Sequence, residues 1–321
     1  MEAKTLQEAI KYFSEEQVCI DAVAQMRWPD GVQCPACGAK EPYWIKTQKR
    51  WKCRDCRRQF SVKLGTIFED SPIPLQKWLP AMWLLVNCKN GVSSYEIHRD
   101  LGVSQKAAWF MLHRLRLVLR KTSTDKLGGC HGPVEADETF VGGLAKNMHL
   151  SDRKRRIPGS GGSGKTIVMG FLDRNAREVR AKVIPNVKRE TLQAEVLANV
   201  DKRARVYTDN FTGYSGLNAR FYVHEVVDHI QTYVRGQVHT QGIENFWSLL
   251  KRTLSGTYVA VEPFHLNRYV DEQVFRFNNR KHEDGKKITD AERFTTALSG
   301  IAGKRLTFAE VTGKAGSEAR A

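Results

Sequence analysis

A chain of 321 residues, 41% hydrophobic and 27% charged, is long enough for two or three soluble globular domains with a sizeable core. It has no apolar run of about 18 residues and no apolar stretch near its start, which argues against a membrane span or secretory leader and for a cytoplasmic protein. Lys and Arg number 51 against 35 Asp and Glu, a net charge of +16, so a polyanion is the expected partner.

Residues 1–31 read as an N-terminal helical segment carrying Leu6, Ile10, Phe13, Val18 and Ile20, closed by the turn Trp28-Pro29-Asp30-Gly31. Residues 32–65 read as a zinc ribbon. Cys34 and Cys37 form one CxxC pair, and Cys53 and Cys56 a second. Two such pairs supply four thiolates for a tetrahedral Zn²⁺, and in a cytosolic chain they signal metal rather than disulfide. Cys19, Cys88 and Cys130 remain as ordinary thiols. From Lys40 to Arg58 eight basic residues face two acidic ones, interleaved with Tyr43, Trp44 and Trp51. Such a ribbon can lie along a phosphate backbone.

Residues 76–122 read as a helix-turn-helix DNA-binding region. Tyr95, Ile97 and Leu101 mark one helix, Gly102 the turn, and Val103, Ala107, Ala108 and Met111 the next, with Ser104 as its N-cap. The second helix is expected in the major groove, with Gln105 and Lys106 near the base edges and His113, Arg114 and Arg116 further along.

Residues 130–285 read as a catalytic domain and 286–321 as a C-terminal extension. Strands are expected over 134–143, 166–174, 178–187, 205–210 and 222–229, with a helix at 188–200 and a long helix from about Gly242. The segment from Gly159 to Lys165-Thr166 fits the phosphate-loop pattern GxxxxGK[ST]. It has the wrong context, however: a basic run, Arg153-Lys154-Arg155-Arg156, precedes it and a β-branched strand follows. It is read instead as a basic loop that touches DNA.

Asp137 lies within the first strand of this region and Asp209 at the end of the fourth. Acids there are costly unless they bind a cation or reach a polar cleft. Strands one to three can form an antiparallel meander. The helix at 188–200 is then a crossover that lays strand four parallel to strand one, bringing Asp137 and Asp209 together. Paired carboxylates are hard oxygen ligands suited to Mg²⁺ or Mn²⁺. A third acid, Glu244, shares one face of the long helix with Ser248 and Lys251, beside the apolar stripe Ile243, Phe246, Trp247, Leu250 and Leu254.

Arg27-Trp-Pro-Asp-Gly31, the double CxxC ribbon, Asp137-Glu-Thr-Phe-Val-Gly-Gly143, Tyr207-Thr-Asp-Asn210 and the run from His239 to Arg252 together resemble a bacterial insertion-sequence transposase, the IS1595 group with an N-terminal zinc ribbon. The resemblance covers nearly the whole chain. It implies an α/β, ribonuclease-H-like mixed-sheet domain and a DDE triad at Asp137, Asp209 and Glu244, with Lys251 a companion on the helix. Gln241, Asn245 and His239 are alternatives for the third position. The expected chemistry is cleavage and transfer of DNA strands by two Mg²⁺ ions on the triad, with the zinc purely structural. The partners are double-stranded DNA, namely the element's terminal inverted repeats and its target, and further copies of the chain as a dimer or higher multimer. The alternatives are a non-catalytic zinc-ribbon DNA-binding regulator and a structure-specific nuclease on the same fold.

Overall fold

The computed structural model describes residues 3–121, 123–129, 132–142, 164–220, 223–227, 238–282 and 284–314. The basic run Arg153, Lys154, Arg155 and Arg156, most of the glycine loop after it, and Cys130 lie outside the described residues. The chain forms two compact units, Met1–Arg120 with Lys286–Ala321, and Lys121–Gly285. Among the described residues no helix is long and apolar enough to cross a membrane.

In the first unit, the N-terminal segment is two helices, α1 (Leu6–Tyr12) and α2 (Glu16–Arg27), where the periodicity suggested one. The break comes at Ser14, whose hydroxyl donates to the Lys11 carbonyl at 2.7 Å, while Phe13 turns into the core against Phe294. Three short antiparallel strands follow, β1 (Tyr43–Ile45), β2 (Arg50–Lys52) and β3 (Gln59–Phe60). Trp51 is buried between Trp28, Trp44 and Phe60, so it builds the ribbon's own core and is not offered to phosphate. Tyr43 is 61% exposed and remains available.

Three helices come next: α3 (Leu75–Asn87), α4 (Ser94–Leu101) and α5 (Gln105–Leu119). Ser93 and Glu96 form a reciprocal capping box on α4, and Gly102 ends it in the left-handed conformation (φ 58°) that glycine adopts without strain. Ser104 caps α5 through Ala107 N, as its position suggested. Most of α5 is buried. His113, Arg114 and Arg116 lie inside the unit, and Arg114 Nη2 donates to the Glu69 carbonyl at 2.6 Å. Arg114 is therefore a structural cation, not the DNA contact expected of it: in this unit α5 is a central helix packed against α3, α4 and the C-terminal helices. From the C-terminal stretch, α9 (Asp290–Ser299) packs Phe294 on Trp83 of α3, and α10 (Phe308–Val311) sets Phe308 edge-on to Phe110.

The second unit is a five-stranded mixed sheet with order β6-β5-β4-β7-β8. Its strands are β4 (Pro133–Val141), β5 (Thr166–Asp173), β6 (Glu178–Ile184), β7 (Arg205–Asp209) and β8 (Val223–Val227). β4, β5 and β6 pair antiparallel, and after the crossover helix α6 (Arg189–Asn199) the chain returns so that β7 runs parallel to β4 and β8 parallel to β7. That is the arrangement the element order suggested. One face carries a core of Val134, Ala136, Met169, Phe171, Leu192 and Val196 under α6. The other carries Val168, Leu172, Ile243, Phe246, Trp247 and Val270 under α7 (Gln241–Thr253) and α8 (Leu266–Asn278).

Candidate active site and metal centre

In the ribbon, Sγ of Cys34 lies 3.6 Å from that of Cys56, and Sγ of Cys37 lies 3.5 Å from that of Cys53. All four sulfurs fall within 4.8 Å of one another. A tetrahedron with Zn–S bonds of about 2.3 Å sets sulfurs roughly 3.8 Å apart, so the quartet fits a structural Zn²⁺. The amide N–H groups of Cys56 and Asp55 help pull the Cys53 thiol down to about 7, toward the thiolate a metal needs.

In the second unit, period-two alternation decides what each residue of β4 meets. Val134 and Ala136 enter the core under α6, so Glu135 and Asp137 turn toward α7. The parallel pairing of β4 with β7 ends at Glu135↔Tyr207. Two residues on, the same alternation carries Asp137 and Asp209 to the point where the strands separate, near enough for the Asp209 charge to act on Asp137. Burial above all, then the carboxylates of Glu138 and Asp209, pushes the Asp137 carboxyl up to about 7. The indole of Trp247 opposes this, its Nε1–H donating to Asp137 Oδ2 at 2.8 Å. Gly170 faces Asp137 across the β4–β5 ladder, and a Cβ there would come within 2.6 Å of the Trp247 ring. This glycine makes room for the indole.

Glu138 points to the opposite face, where the Tyr214 hydroxyl donates to its Oε2 at 2.6 Å. Burial chiefly, with Asp209 adding to it, raises its carboxyl as well, and burial first, then Glu138 and the two aspartates, raises the Tyr214 phenol. Sequence reasoning passed over Glu138 and Tyr214. The available signal was the density of acids on one strand, with Glu135, Asp137 and Glu138 in four residues.

A second missed cluster fixes the start of α7. Glu135, 1% exposed, takes 2.6 Å from Arg174 Nε and 2.8 Å from Ile243 N, so an acid sits at the helix N-terminus. Arg174 also reaches Nδ1 and the carbonyl of His239, at 2.8 and 2.6 Å, and stacks on Tyr207. His239 is thereby engaged in holding the turn. Gly242 is required there, since a Cβ would lie 2.2 Å from Leu172 Cδ2 and 2.9 Å from Glu135 Oε2.

Glu244, Gln241, Asn245, Ser248 and Lys251 are exposed, and the apolar stripe of α7 is buried. Thr240 Oγ1 donates to Glu244 Oε1 at 2.8 Å. Among the described residues, the cysteine quartet is the one group of three or more acidic, histidine or cysteine ligands within 4.8 Å. The structure thus brings Asp137 and Asp209 together without drawing Glu244 to ligand distance. Glu244 lies one turn before Trp247 on the same helix. In the first unit, Lys106 is exposed, with its ammonium 4.8 Å from the Phe308 ring, while Gln105 is half-buried and donates to Ser94 Oγ at 3.0 Å.

Residues 129–278 match the family described as the ISXO2-like transposase domain, and residues 14–59 match the transposase zinc-ribbon domain of the same IS1595 group. An uncharacterized protein in transposable element ISH50 of Halobacterium salinarum is 31% identical over 263 residues, which span 77% of this chain and 85% of that protein. An uncharacterized transposase-like protein of Haemophilus influenzae is 31% identical over 102 residues, 32% of this chain and 82% of that protein. By its sheet, its four-cysteine ribbon and these matches, the chain belongs to the IS1595-type family of insertion-sequence transposases.

Proposed function

We propose that this protein cuts the ends of an insertion sequence and joins them to target DNA, using divalent metal held by carboxylates of the second unit. The observation that carries the reading is the placement of Asp137 near Asp209 at the open end of β4 and β7, with the Asp209 charge close enough to raise the Asp137 carboxyl. The sheet order supports reading this unit as ribonuclease-H-like. The donor set is hard oxygen, which suits Mg²⁺ or Mn²⁺, and a cation would relieve the repulsion between the aspartates. Asp137 and Asp209 would hold it, with Glu244 as third ligand from the first turn of α7. A metal there supplies charge stabilisation for in-line displacement at phosphorus, by water or by a DNA 3′-hydroxyl.

The chain's own groups do the rest. Trp247 orients Asp137, and Arg174 and Glu135 fix the turn that carries Glu244. Lys251, two turns along α7, engages a phosphate of the bound strand. α4 and α5 serve as a helix-turn-helix that presents Lys106, the exposed residue of the first turn of α5, to the DNA. Gln105, tied to Ser94, orients that turn. The basic run Arg153–Arg156, outside the described residues, is proposed as a backbone contact. On element-end DNA the chain acts as a dimer or higher multimer, because two ends must be handled together.

The test is Mg²⁺- or Mn²⁺-dependent cleavage and strand transfer on DNA carrying the sequences that flank the gene. Asp137→Asn and Asp209→Asn should lose both reactions and keep DNA binding. Full activity in either variant overturns the assignment. Cleavage by wild type without strand transfer would favour the nuclease reading.

A further inference from the structure

The far end of α7 is built unlike a normal helix terminus. The helix runs on into a π turn, Leu254–Tyr258, and then into Val259 at φ 61° and ψ −58°. Ala260 N donates to the Tyr258 carbonyl at 2.6 Å. Together these define a γ-turn of the positive-φ kind, rare and strained. Val259 is the one β-branched residue with positive φ among the described residues, where such a residue is a true outlier. Its side chain is 80% exposed, and that of Phe264, five residues on, is 64% exposed.

The base beneath this tip is rigid. Tyr258 donates to Glu272 Oε1 at 2.5 Å, and Glu272, fully buried on α8, is ion-paired with Arg276. Arg276 and Thr253 both reach Gln273 Oε1, at 2.9 and 3.4 Å. The Tyr258 and Tyr269 rings meet edge-on at 4.7 Å. A buried polar network therefore holds the π turn while two apolar side chains project into solvent. The flanks are basic: from 251 to 268 the chain carries Lys251, Arg252 and Arg268 against the single acid Glu262.

We infer that Val259 and Phe264 form an apolar wedge that enters duplex DNA at a base step, with Lys251 and Arg252 on the neighbouring phosphates. The inference rests on the transposase reading above and adds a DNA contact to it. Basic flanks select a polyanion, and a stiff apolar tip is what parts stacked bases. Val259 lies twelve residues beyond Trp247, past the end of α7 and its π turn, so the wedge stands apart from the strand bound at Asp137.

The experiment uses the full chain and duplexes bearing the gene's flanking sequence, with 2-aminopurine scanned through successive positions and Ca²⁺ in place of Mg²⁺. Wild type should raise the fluorescence severalfold at one step and little elsewhere. The variant Val259→Gly/Phe264→Ser relieves the backbone strain, so it should fold with unchanged zinc content and melting temperature. It should abolish the fluorescence rise and weaken binding about tenfold. Lys251→Ala/Arg252→Ala should weaken binding while the unstacking persists at saturation. If wild type binds the duplex and the wedge variant unstacks it equally well, the wedge is overturned and the transposase reading stands. If the variant turns a dimer into a monomer with unstacking intact, the patch is an interface between copies and the wedge is again overturned. If wild type binds no duplex, both readings fall.

Discussion

Trp247 Nε1 donates a 2.8 Å hydrogen bond to Asp137 Oδ2, so a side chain from the middle of α7 sets the orientation of an acid in the middle of the sheet. Trp247→Phe keeps a ring over Gly170 and removes the donor. The loss of a bond to a charged group should cost about 1.5–3 kcal/mol in stability. If Asp137 is a metal ligand, cleavage should fall at least tenfold with DNA affinity unchanged. Gly170→Ala should act through the same indole, because the added methyl meets it at 2.6 Å. Overpacking there should cost about 1–3 kcal/mol. Thermal melts of both variants, read beside cleavage rates, check this; a fully active Trp247→Phe would remove the indole from the site.

The pH dependence of the metal-free protein follows from the raised Asp137 carboxyl, at about 7 against an ordinary value near 4. The folded state binds this proton more tightly than the unfolded chain does. Stability from this group is therefore present at low pH and is lost as pH rises from about 4 to about 7. Asp137→Asn should melt above wild type at pH 8 in EDTA, with the gap closing toward pH 4. Millimolar Mn²⁺ at pH 8 should raise the wild-type melting temperature and barely move the variant's. An equal metal-induced rise in both would exclude Asp137 as a ligand.

Glu135 and Arg174 form the ion pair that seats the start of α7, with Glu135 1% exposed. Arg174→Gln leaves that carboxylate without its cation and should destabilise the second unit by about 3–5 kcal/mol. Glu135→Gln in the same chain removes the stranded charge and should recover part of the loss. Denaturation of the two single variants and the double variant measures the coupling. Additive losses would mean that the pair does not act as a unit.

Much of the fold was legible because its signals are local. Alternation marked β4 to β7, Ser104 and Gly102 marked the turn between α4 and α5, and the crossover after β6 put Asp209 beside Asp137. The CxxC pairs announced their own geometry. What stayed hidden depends on which groups meet across distant sequence. Arg114 looked like a helix-surface base, yet it turns inward to the Glu69 carbonyl, 45 residues away, on a helix packed against α3, α4 and the C-terminal helices, whose return to the first unit no local pattern encodes. Glu138 looked like a neighbour of Asp137, but its role depends on Tyr214, 76 residues away. The bond from Trp247 to Asp137 spans 110 residues, and the only trace in the sequence is the glycine that makes space for it.

The ribbon should hold one zinc per chain. Its fold has three short strands and a small aromatic core, so the metal should supply much of its stability. Cys53→Ser/Cys56→Ser should contain no zinc by elemental analysis. Chelation should raise amide exchange at β1, β2 and β3 while the five-stranded sheet of the second unit keeps its protection. Full zinc in the double variant would overturn the site.

The third carboxylate is the most exposed assignment. Two acids compete for it, and the structure gives them opposite surroundings. Glu138 sits on β4 itself and raises the Asp137 carboxyl more than Asp209 does, but it faces away from α7 and is held by the Tyr214 hydroxyl. Glu244 is exposed and bonded to Thr240, yet it stands one turn before Trp247 on the helix that touches Asp137. A ligand must share the face on which Asp137 and Asp209 lie, and that condition favours Glu244. Glu244→Gln should then cut cleavage at least a hundredfold, reduce the Mn²⁺-induced rise in melting temperature, and leave metal-free stability within about 1 kcal/mol. Glu138→Gln should remove a repelling charge, raise metal-free stability at pH 8, and lower cleavage less than tenfold. Tyr214→Phe should act on stability in the opposite direction, lowering it at pH 8, since it leaves the Glu138 carboxylate buried without its donor, and should lower cleavage less than tenfold. Gln241→Ala controls for the amide alternative and should cleave normally. The measurement is Mg²⁺-dependent cleavage of end-bearing DNA by all four variants, with Mn²⁺ melts alongside. A dead Glu138→Gln beside an active Glu244→Gln would move the third ligand onto β4, and a dead Gln241→Ala would move it to the first residue of α7.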